Sequence, residues 1–273
     1  MRKNKSLLLS APYILWMLVF TLIPLGVMGY YALTDPDTGA FSFGNILNLG
    51  TYLPVLGTSV LYALISAAIC LVLGYPVAYF IAHRGPVAQK LLYMLVMLPM
   101  CMSFLLRTLA WVGILETNGI INHLLGLVGI GPVEMIGNSG AVILGMVYNY
   151  LPYMILPLYA IIVKIDNRLI EAAEDLGCNS VQVFSKVILP LSMPGILSGM
   201  TMVFVPAVST FYISQKLGGA DTMLIGDVIE TQFKTSNNPN MGAALSLLLM
   251  LLVLVCTGIM NRFGSDEEGG VVV

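Results

Sequence analysis

The chain has 273 residues, of which 58% are apolar and 10% charged, with a formal net charge of −2. A typical soluble domain carries about 25% charged residues, and several apolar runs here exceed the roughly 20 residues a helix needs to cross a bilayer. A soluble globular protein is therefore excluded, and the near-neutral total gives no reason to invoke nucleic acid.

Arg2, Lys3 and Lys5 precede an apolar run from Leu7 to about Leu33. A secretory signal peptide starts similarly, but its apolar core is about 7–15 residues and ends at small residues. The run is read as an uncleaved first span, 7–33. Asp35 to Gly57 follows as an outside segment with turn residues and no Lys or Arg. Span two covers 58–81, and the loop His83-Arg84-Gly85-Pro86 to Lys90 returns the chain to span three, 91–115. Glu116 to Asn138 is a second outside segment, with a short interfacial helix expected at Ile120–Leu127. Span four covers 139–163, and an inner loop occupies 164–194. Span five covers 195–215, a third outside segment runs from Lys216 to Met241, and span six covers 242–260. Asn261 to Val273 is an acidic tail expected to lack fixed structure. The whole chain, 1–273, is read as a single transmembrane domain.

Charge gives the orientation. With the amino terminus inside, Arg2, Lys3, Lys5, Arg84, Lys90, Lys164, Arg168, Lys186 and Arg262 lie on inner segments, against Lys216 and Lys234 outside. That asymmetry is the positive-inside pattern, and it places both termini and the 164–194 loop in the cytoplasm. The outer segments hold Asp35, Asp37, Glu116, Glu134, Asp221, Asp227 and Glu230. Such a face favours a cation by long-range attraction, although sorting alone also leaves outer loops poor in Lys and Arg.

The inner loop is the one stretch that membrane crossing does not explain. Leu169, Ala172, Ala173 and Leu176 recur on one helical face, with Arg168, Glu171, Glu174 and Asp175 mostly off it. Asp166 is placed to cap this helix and Gly177 to end it with a left-handed residue. Ser180 is expected to cap a second short helix with Val181, Phe184 and Ile188 on its apolar face. Pro190 and Pro194 are expected to close the unit. The result is a helix–turn–helix hung between two spans. Its plainer alternative is a solvated loop lying on the lipid surface.

Prolines punctuate the spans at Pro24, Pro76, Pro99, Pro152, Pro157 and Pro206, where each removes a donor and can kink or open a helix. Arg107 is the costliest residue in a span, since a central charge costs roughly 2.5–3.5 kcal/mol on insertion scales. It reads either as a buried pathway residue or as an anchor whose stem reaches the interface. Cys70, Cys101, Cys178 and Cys256 show no metal spacing and are expected to be free thiols. There is no zinc motif, no phosphate-binding loop and no Ser–His pairing. The chain is therefore expected to be no enzyme, to hold no metal or cofactor, and to leave any ATP to another chain.

Glu171-Ala172-Ala173, then Gly177, then Val187 and Leu189-Pro190 resemble the EAA loop of ABC importer permeases, with Val187 where isoleucine is usual. The resemblance narrows to the B-type permease of the spermidine/putrescine importers through Phe104-Leu105-Leu106-Arg107-Thr108 with Trp111, and the run Tyr148 to Tyr159. Phe211-Tyr212-Ile213-Ser214 with Leu217-Gly218-Gly219, and Leu224-Ile225-Gly226-Asp227 with Gln232-Phe233, continue it. It spans about Leu7 to Met260, with Cys178 where alanine is common.

The resemblance implies an all-α integral membrane protein with six transmembrane helices in the type I ABC importer permease (MetI-like) fold, resident in a bacterial cytoplasmic membrane. It implies that Glu171, Ala172, Ala173, Asp175, Leu176 and Gly177 form a coupling helix docking on a separate ATPase. The implied partners are a C-type permease, two copies of the ATP-binding subunit and an extracytoplasmic polyamine-binding protein. Trp111, Tyr148, Asn149, Tyr153, Phe211 and Tyr212 are candidates for the translocation path, because aromatic faces can hold ammonium groups. Each is otherwise a packing residue or interfacial anchor. The rivals are an ion-gradient-driven carrier, a permease for another small cationic or polar solute, and a purely structural membrane subunit. The first would need intramembrane carboxylates, which the span cores lack.

Overall fold

The computed structural model describes residues 12–13, 15–35, 39–219 and 222–268. Arg2, Lys3, Lys5, the expected start of span one at Leu7, Asp37 and Asp221 lie outside the described residues. Among the described residues, six helical stretches are long and apolar enough to cross a membrane: Leu15–Ala32 (α1), Gly44–Ala82 (α2), Phe104–Leu127, Ser139–Ile162, Ser180–Val208 and Pro239–Met260. An isolated bridge pairs Thr34 with Phe41. The all-α, six-span reading therefore holds, but several boundaries move.

Span two begins earlier than residue 58. The Ser42 hydroxyl accepts from the Gly44 N–H at 3.0 Å and starts the chain turning. Pro54 then falls at the second position of the regular helix Leu53–Ala82, where its missing N–H costs nothing. Span three is not one helix. Pro86–Cys101 (α3) ends in a tight turn at Leu98–Cys101, Met102 is extended, and helix resumes at Phe104–Leu115 (α4). Pro99 explains the break, because it has no N–H to donate and its ring crowds the carbonyl one turn back. The expected helix Ile120–Leu127 (α5) is present.

Ser139–Ile162 (α6) starts at Asn138, whose side-chain oxygen accepts from the Ala141 N–H at 2.9 Å. Asn167–Asp175 (α7) follows, capped by Asp166. Ser180 is not the next cap. Asn179 takes that role through a reciprocal pair in which its Oδ1 accepts from Gln182 N and Gln182 Oε1 accepts from Asn179 N. Nor do Pro190 and Pro194 close the unit, since helix continues from Ser180 to Val208 (α8). The chain passes Pro190 by widening to a π turn at Phe184–Ile188. A second π turn at Leu18–Leu22 likewise ends two residues before Pro24. In both places the wider turn relieves the carbonyl that a proline ring would meet.

Span five stops at Val208 rather than 215. The Ser209 hydroxyl donates to the carbonyls of Val205 and Pro206 at 3.2 and 3.4 Å, a local alternative to continued helix. Phe211 precedes a separate short helix, Tyr212–Leu217 (α9). The third outside segment is not a plain loop, because it contains Ile225–Lys234 (α10). The last helix runs from Pro239 to Glu268 (α11). The tail expected to lack structure is therefore helical to Glu268, and no proline interrupts it before the Gly269-Gly270 pair.

The chain forms two compact units. One comprises residues up to Pro54 together with Val228–Leu252. There Ala32, Ala243 and Ala244 are buried against Leu49 and Leu247. Asn45 and Asn240 both donate to the Thr34 carbonyl, at 3.0 and 2.6 Å.

The other unit comprises Val55–Asp227 and residues from Val253 onward. Its centre is the packing of α6 on α8, which buries Met146, Met154, Leu158, Val203, Phe204 and Val208. Gly199 makes that approach possible, since a Cβ there would stand 2.6 Å from Met154 Sδ. The Tyr75 and Ser192 hydroxyls, 2.8 Å apart, tie α2 to α8.

Candidate functional site

The helix α7 is built by its ends. The Asp166 carboxylate accepts from the Arg168 N–H at 3.0 Å, as its position predicts. At the other end Gly177 has φ +84°. Its N–H donates to the Glu174 carbonyl at 2.9 Å, and the Cys178 N–H donates to Ala173 at 3.1 Å. These two bonds close a Schellman turn, whose left-handed residue favours glycine. Ala173 is then buried with Val183 and Ile188, and Tyr79, Ile165, Ile170, Cys178 and Val187 pack on the three.

The buried face is not the full Leu169–Ala172–Ala173–Leu176 stripe. Ala172 is exposed, as are Leu169 and Leu176, the latter 86% exposed, and Val181 in the next helix is 74% exposed. Glu171, Glu174 and Asp175 are exposed beside them. Ile170, three residues before Ala173, was the available signal for the face that turns inward. The outward face is an apolar patch rimmed by carboxylates, the kind of surface that marks a protein contact.

The six path candidates do not form one cluster. Trp111 on α4 and Tyr148 on α6 meet edge-on with ring centroids 5.2 Å apart. Tyr153 and Tyr212 belong to a different group, linked through Tyr150 and Phe104 at centroid distances of 6.3–6.5 Å. Asn149 is fully buried, and its Nδ2 donates to the Gly145 carbonyl at 2.9 Å and reaches Thr108 Oγ1 at 3.5 Å. Phe211 is 40% exposed. Phe104 and Tyr150 are the residues that join this second group, and neither was a path candidate from sequence.

Arg107 lies within this unit and is 5% exposed, so its stem does not carry it to an interface. Its Nε and Nη1 have no hydrogen-bond partner among the described residues, and neither does Asn149 Oδ1. Tyr150 is near enough to interact with Arg107 electrostatically. Asp227, expected on an acidic outer face, is instead buried at 3% exposure. Its Oδ2 accepts from the Leu224 N–H at 2.8 Å. In the first turn of α10, the acid holds the residue just before the helix and so fixes its start. Among the described residues, no group of His, Cys, Asp and Glu could hold a metal ion.

Residues 71–266 match the model of a family described as binding-protein-dependent transport system inner membrane component. The chain is 41% identical over 247 residues to the spermidine/putrescine transport system permease protein PotB of Haemophilus influenzae, covering 87% of this chain and 86% of that one. It is 38% identical to the protein of the same name from Escherichia coli K12, covering 87% and 90%. Its fold is similar to a chain of a bacterial ABC transporter that imports the acidic polysaccharide alginate. That match has a TM-score of 0.81 and 18% identity, and covers 97% of this chain and 99% of the other.

Proposed function

Because the chain belongs to the family of binding-protein-dependent transport system inner membrane components, we propose that it is the B-type permease of an ATP-driven polyamine importer. The observation that carries this reading is the 41% identity to a spermidine/putrescine permease across 87% of the chain. The substrate is spermidine or putrescine, delivered by an extracytoplasmic binding protein. The chain forms one translocation domain and half of the path, and a C-type permease supplies the other half. Two copies of an ATP-binding subunit hydrolyse ATP, and this chain carries out no reaction chemistry itself. Both termini lie in the cytoplasm.

In this reading α7 is the coupling helix. Leu169, Ala172, Leu176 and Val181 offer the ATPase an apolar contact, and Glu171, Glu174 and Asp175 offer charge. ATP binding draws the two ATPase subunits together and moves α7. That motion passes through the short turn at 176–179 into α8, which then runs unbroken from Ser180 to Val208. Trp111 with Tyr148, and Tyr153 with Tyr212, line the path and present aromatic faces to ammonium groups. Asn149 and Phe211 lie on the same path.

A second reading, a permease for another small polar solute, is favoured by Arg107. Its buried guanidinium repels a polycation unless the path avoids it. Uptake of labelled spermidine and putrescine in cells lacking this chain, with and without its restoration, separates the two. Restored uptake that stops on ATP depletion, and survives collapse of the ion gradients, supports the polyamine importer. A co-purifying ATPase with no restored polyamine uptake moves the substrate to the second reading. Uptake that follows the ion gradients instead overturns both.

A further inference from the structure

A pocket of about 290 Å³ opens where α2 and α6 end. Ala82, the last residue of one apolar stretch, and Ile162, the last of the other, both line it. The apolar sequence of both spans gives way here to His83, Arg84 and Lys164, which puts the pocket on the head-group side of the spans. Its polar wall is His83, Arg84, Gln89 and Asn167, its apolar wall includes Ile170 and Ile188, and no Asp or Glu lines it. Two acids adjoin the lining in sequence: Asp166, whose carboxylate accepts from the Arg168 N–H, and Glu171, which is exposed.

The polar wall is held in shape. Gln89 Nε2 donates to the carbonyls of Ala82 and Arg84 at 2.9 and 2.8 Å, which closes the loop between α2 and α3. His83 Nδ1 lies 2.9 Å from the Tyr79 carbonyl, and the two rings are 4.1 Å apart. That contact fixes the imidazole and leaves Nε2 for another partner. The Arg84 guanidinium sits 4.0 Å over the ring of Phe80, which is 50% exposed. An arginine lying along an exposed aromatic at the end of a span is placed to meet a head group. Lys90, Lys164 and Arg168 on the adjoining segments add positive charge.

We propose that this pocket binds a phosphate group, and that the group belongs to an anionic phospholipid in the leaflet next to α7. Basic pockets between helix ends at a membrane surface suit such head groups, and the isoleucines give the glycerol and first methylenes an apolar wall. Asn167 and Ile170 belong to α7, so an occupied pocket steadies the coupling helix. The regulatory part of the inference rests on the reading of α7 as the ATPase dock.

The test uses the complete importer in nanodiscs of phosphatidylcholine, alone or with one third phosphatidylglycerol. Native mass spectrometry reads the phosphatidylglycerol retained by wild type and by the His83→Gln/Arg84→Gln double variant. The variant is expected to retain it about fivefold more weakly, the scale of one basic side chain at an anionic surface. Binding-protein-stimulated ATP hydrolysis is expected to rise with phosphatidylglycerol in wild type and to stay flat in the variant. Equal retention by both proteins overturns the site. Inorganic phosphate that reproduces the effect in phosphatidylcholine alone overturns the lipid source in favour of a soluble one. If retention differs but no substrate or binding protein stimulates hydrolysis in any lipid, the coupling reading fails while the phosphate site stands.

Discussion

The helix α7 and the buried polar centre around Asn149 use opposite solutions to the same problem of placing polar groups on a membrane protein. In α7 the polar atoms have obvious partners: Asp166 and Gly177 close both ends, and the carboxylates face outward. Around Asn149 the polar atoms lie between helices, and Arg107 Nε, Arg107 Nη1 and Asn149 Oδ1 go without partners among the described residues. A buried unpaired polar group costs about 1–3 kcal/mol, so the second region is maintained against its own local energetics. The first region is stable where it stands and presents a surface; the second is expensive and presents an interior. Damage should therefore separate function from folding in α7; in the buried interior added bulk should join them, while removal of an unpaired polar group should not.

The largest expected effect is at Gly226, beside the break that ends α8. A Cβ there would stand 2.6 Å from the Thr210 carbonyl oxygen and 2.8 Å from that of Ser209. Backbone cannot move aside cheaply, and overpacking costs about 1–3 kcal/mol or more. Gly226→Val is expected to lower the amount of membrane-inserted chain and uptake together. Uptake lost at normal chain levels would break the comparison.

Next comes Gly177→Asp. Nothing lies within 4 Å of a Cβ there, so the only cost to the fold is the left-handed backbone at φ +84°, about 1–2 kcal/mol for a residue other than glycine. The chain should insert and melt nearly as wild type, while ATP-dependent uptake falls more than tenfold, a loss of about 1.4 kcal/mol in coupling. Normal uptake in this variant removes the coupling role from α7.

Asn149→Leu is the informative intermediate. It deletes the bonds to Gly145 and Thr108 but also removes an unpaired acceptor, and Thr108 keeps its bond to the Phe104 carbonyl, so its hydroxyl is not left unpaired. Stability is expected to change by less than about 1 kcal/mol while uptake falls several-fold. If thermal stability collapses instead, Asn149 is purely structural.

The smallest effect is at Leu176, which is 86% exposed. Leu176→Ser should leave stability within about 0.5 kcal/mol and reduce co-purification of the ATPase by about twofold. Unchanged co-purification places the docking face elsewhere on α7.

Much of α7 was legible because its signals are local. A cap and a left-handed glycine act over four residues, so Asp166 and Gly177 could be read directly. Ser180 was misplaced for the same reason: it is a good cap, but Asn179 with Gln182 three residues later makes a better one, and that pair is also visible in sequence. The six apolar stretches were legible from hydropathy, yet their ends were not. Pro99 broke a span and Pro190 did not, because a π turn absorbed the second. Asp227 illustrates the remaining gap. Hydropathy sorts a carboxylate to the outside, and only tertiary structure shows it buried and bonded to the Leu224 N–H.

The contact between Gly199 and Met154 has a mechanical meaning. It is the tightest approach of α8 to α6 described above, and it divides α8 unequally. At 1.5 Å of rise per residue, Ser180 stands about 28 Å to one side and Val208 about 14 Å to the other. A rod pivoting there is a lever with its long arm toward α7 and its fulcrum at a glycine. A displacement at Ser180 reaches Val208 at about half its size and in the opposite sense. Such gearing trades distance for force, which suits a device that must part packed helices.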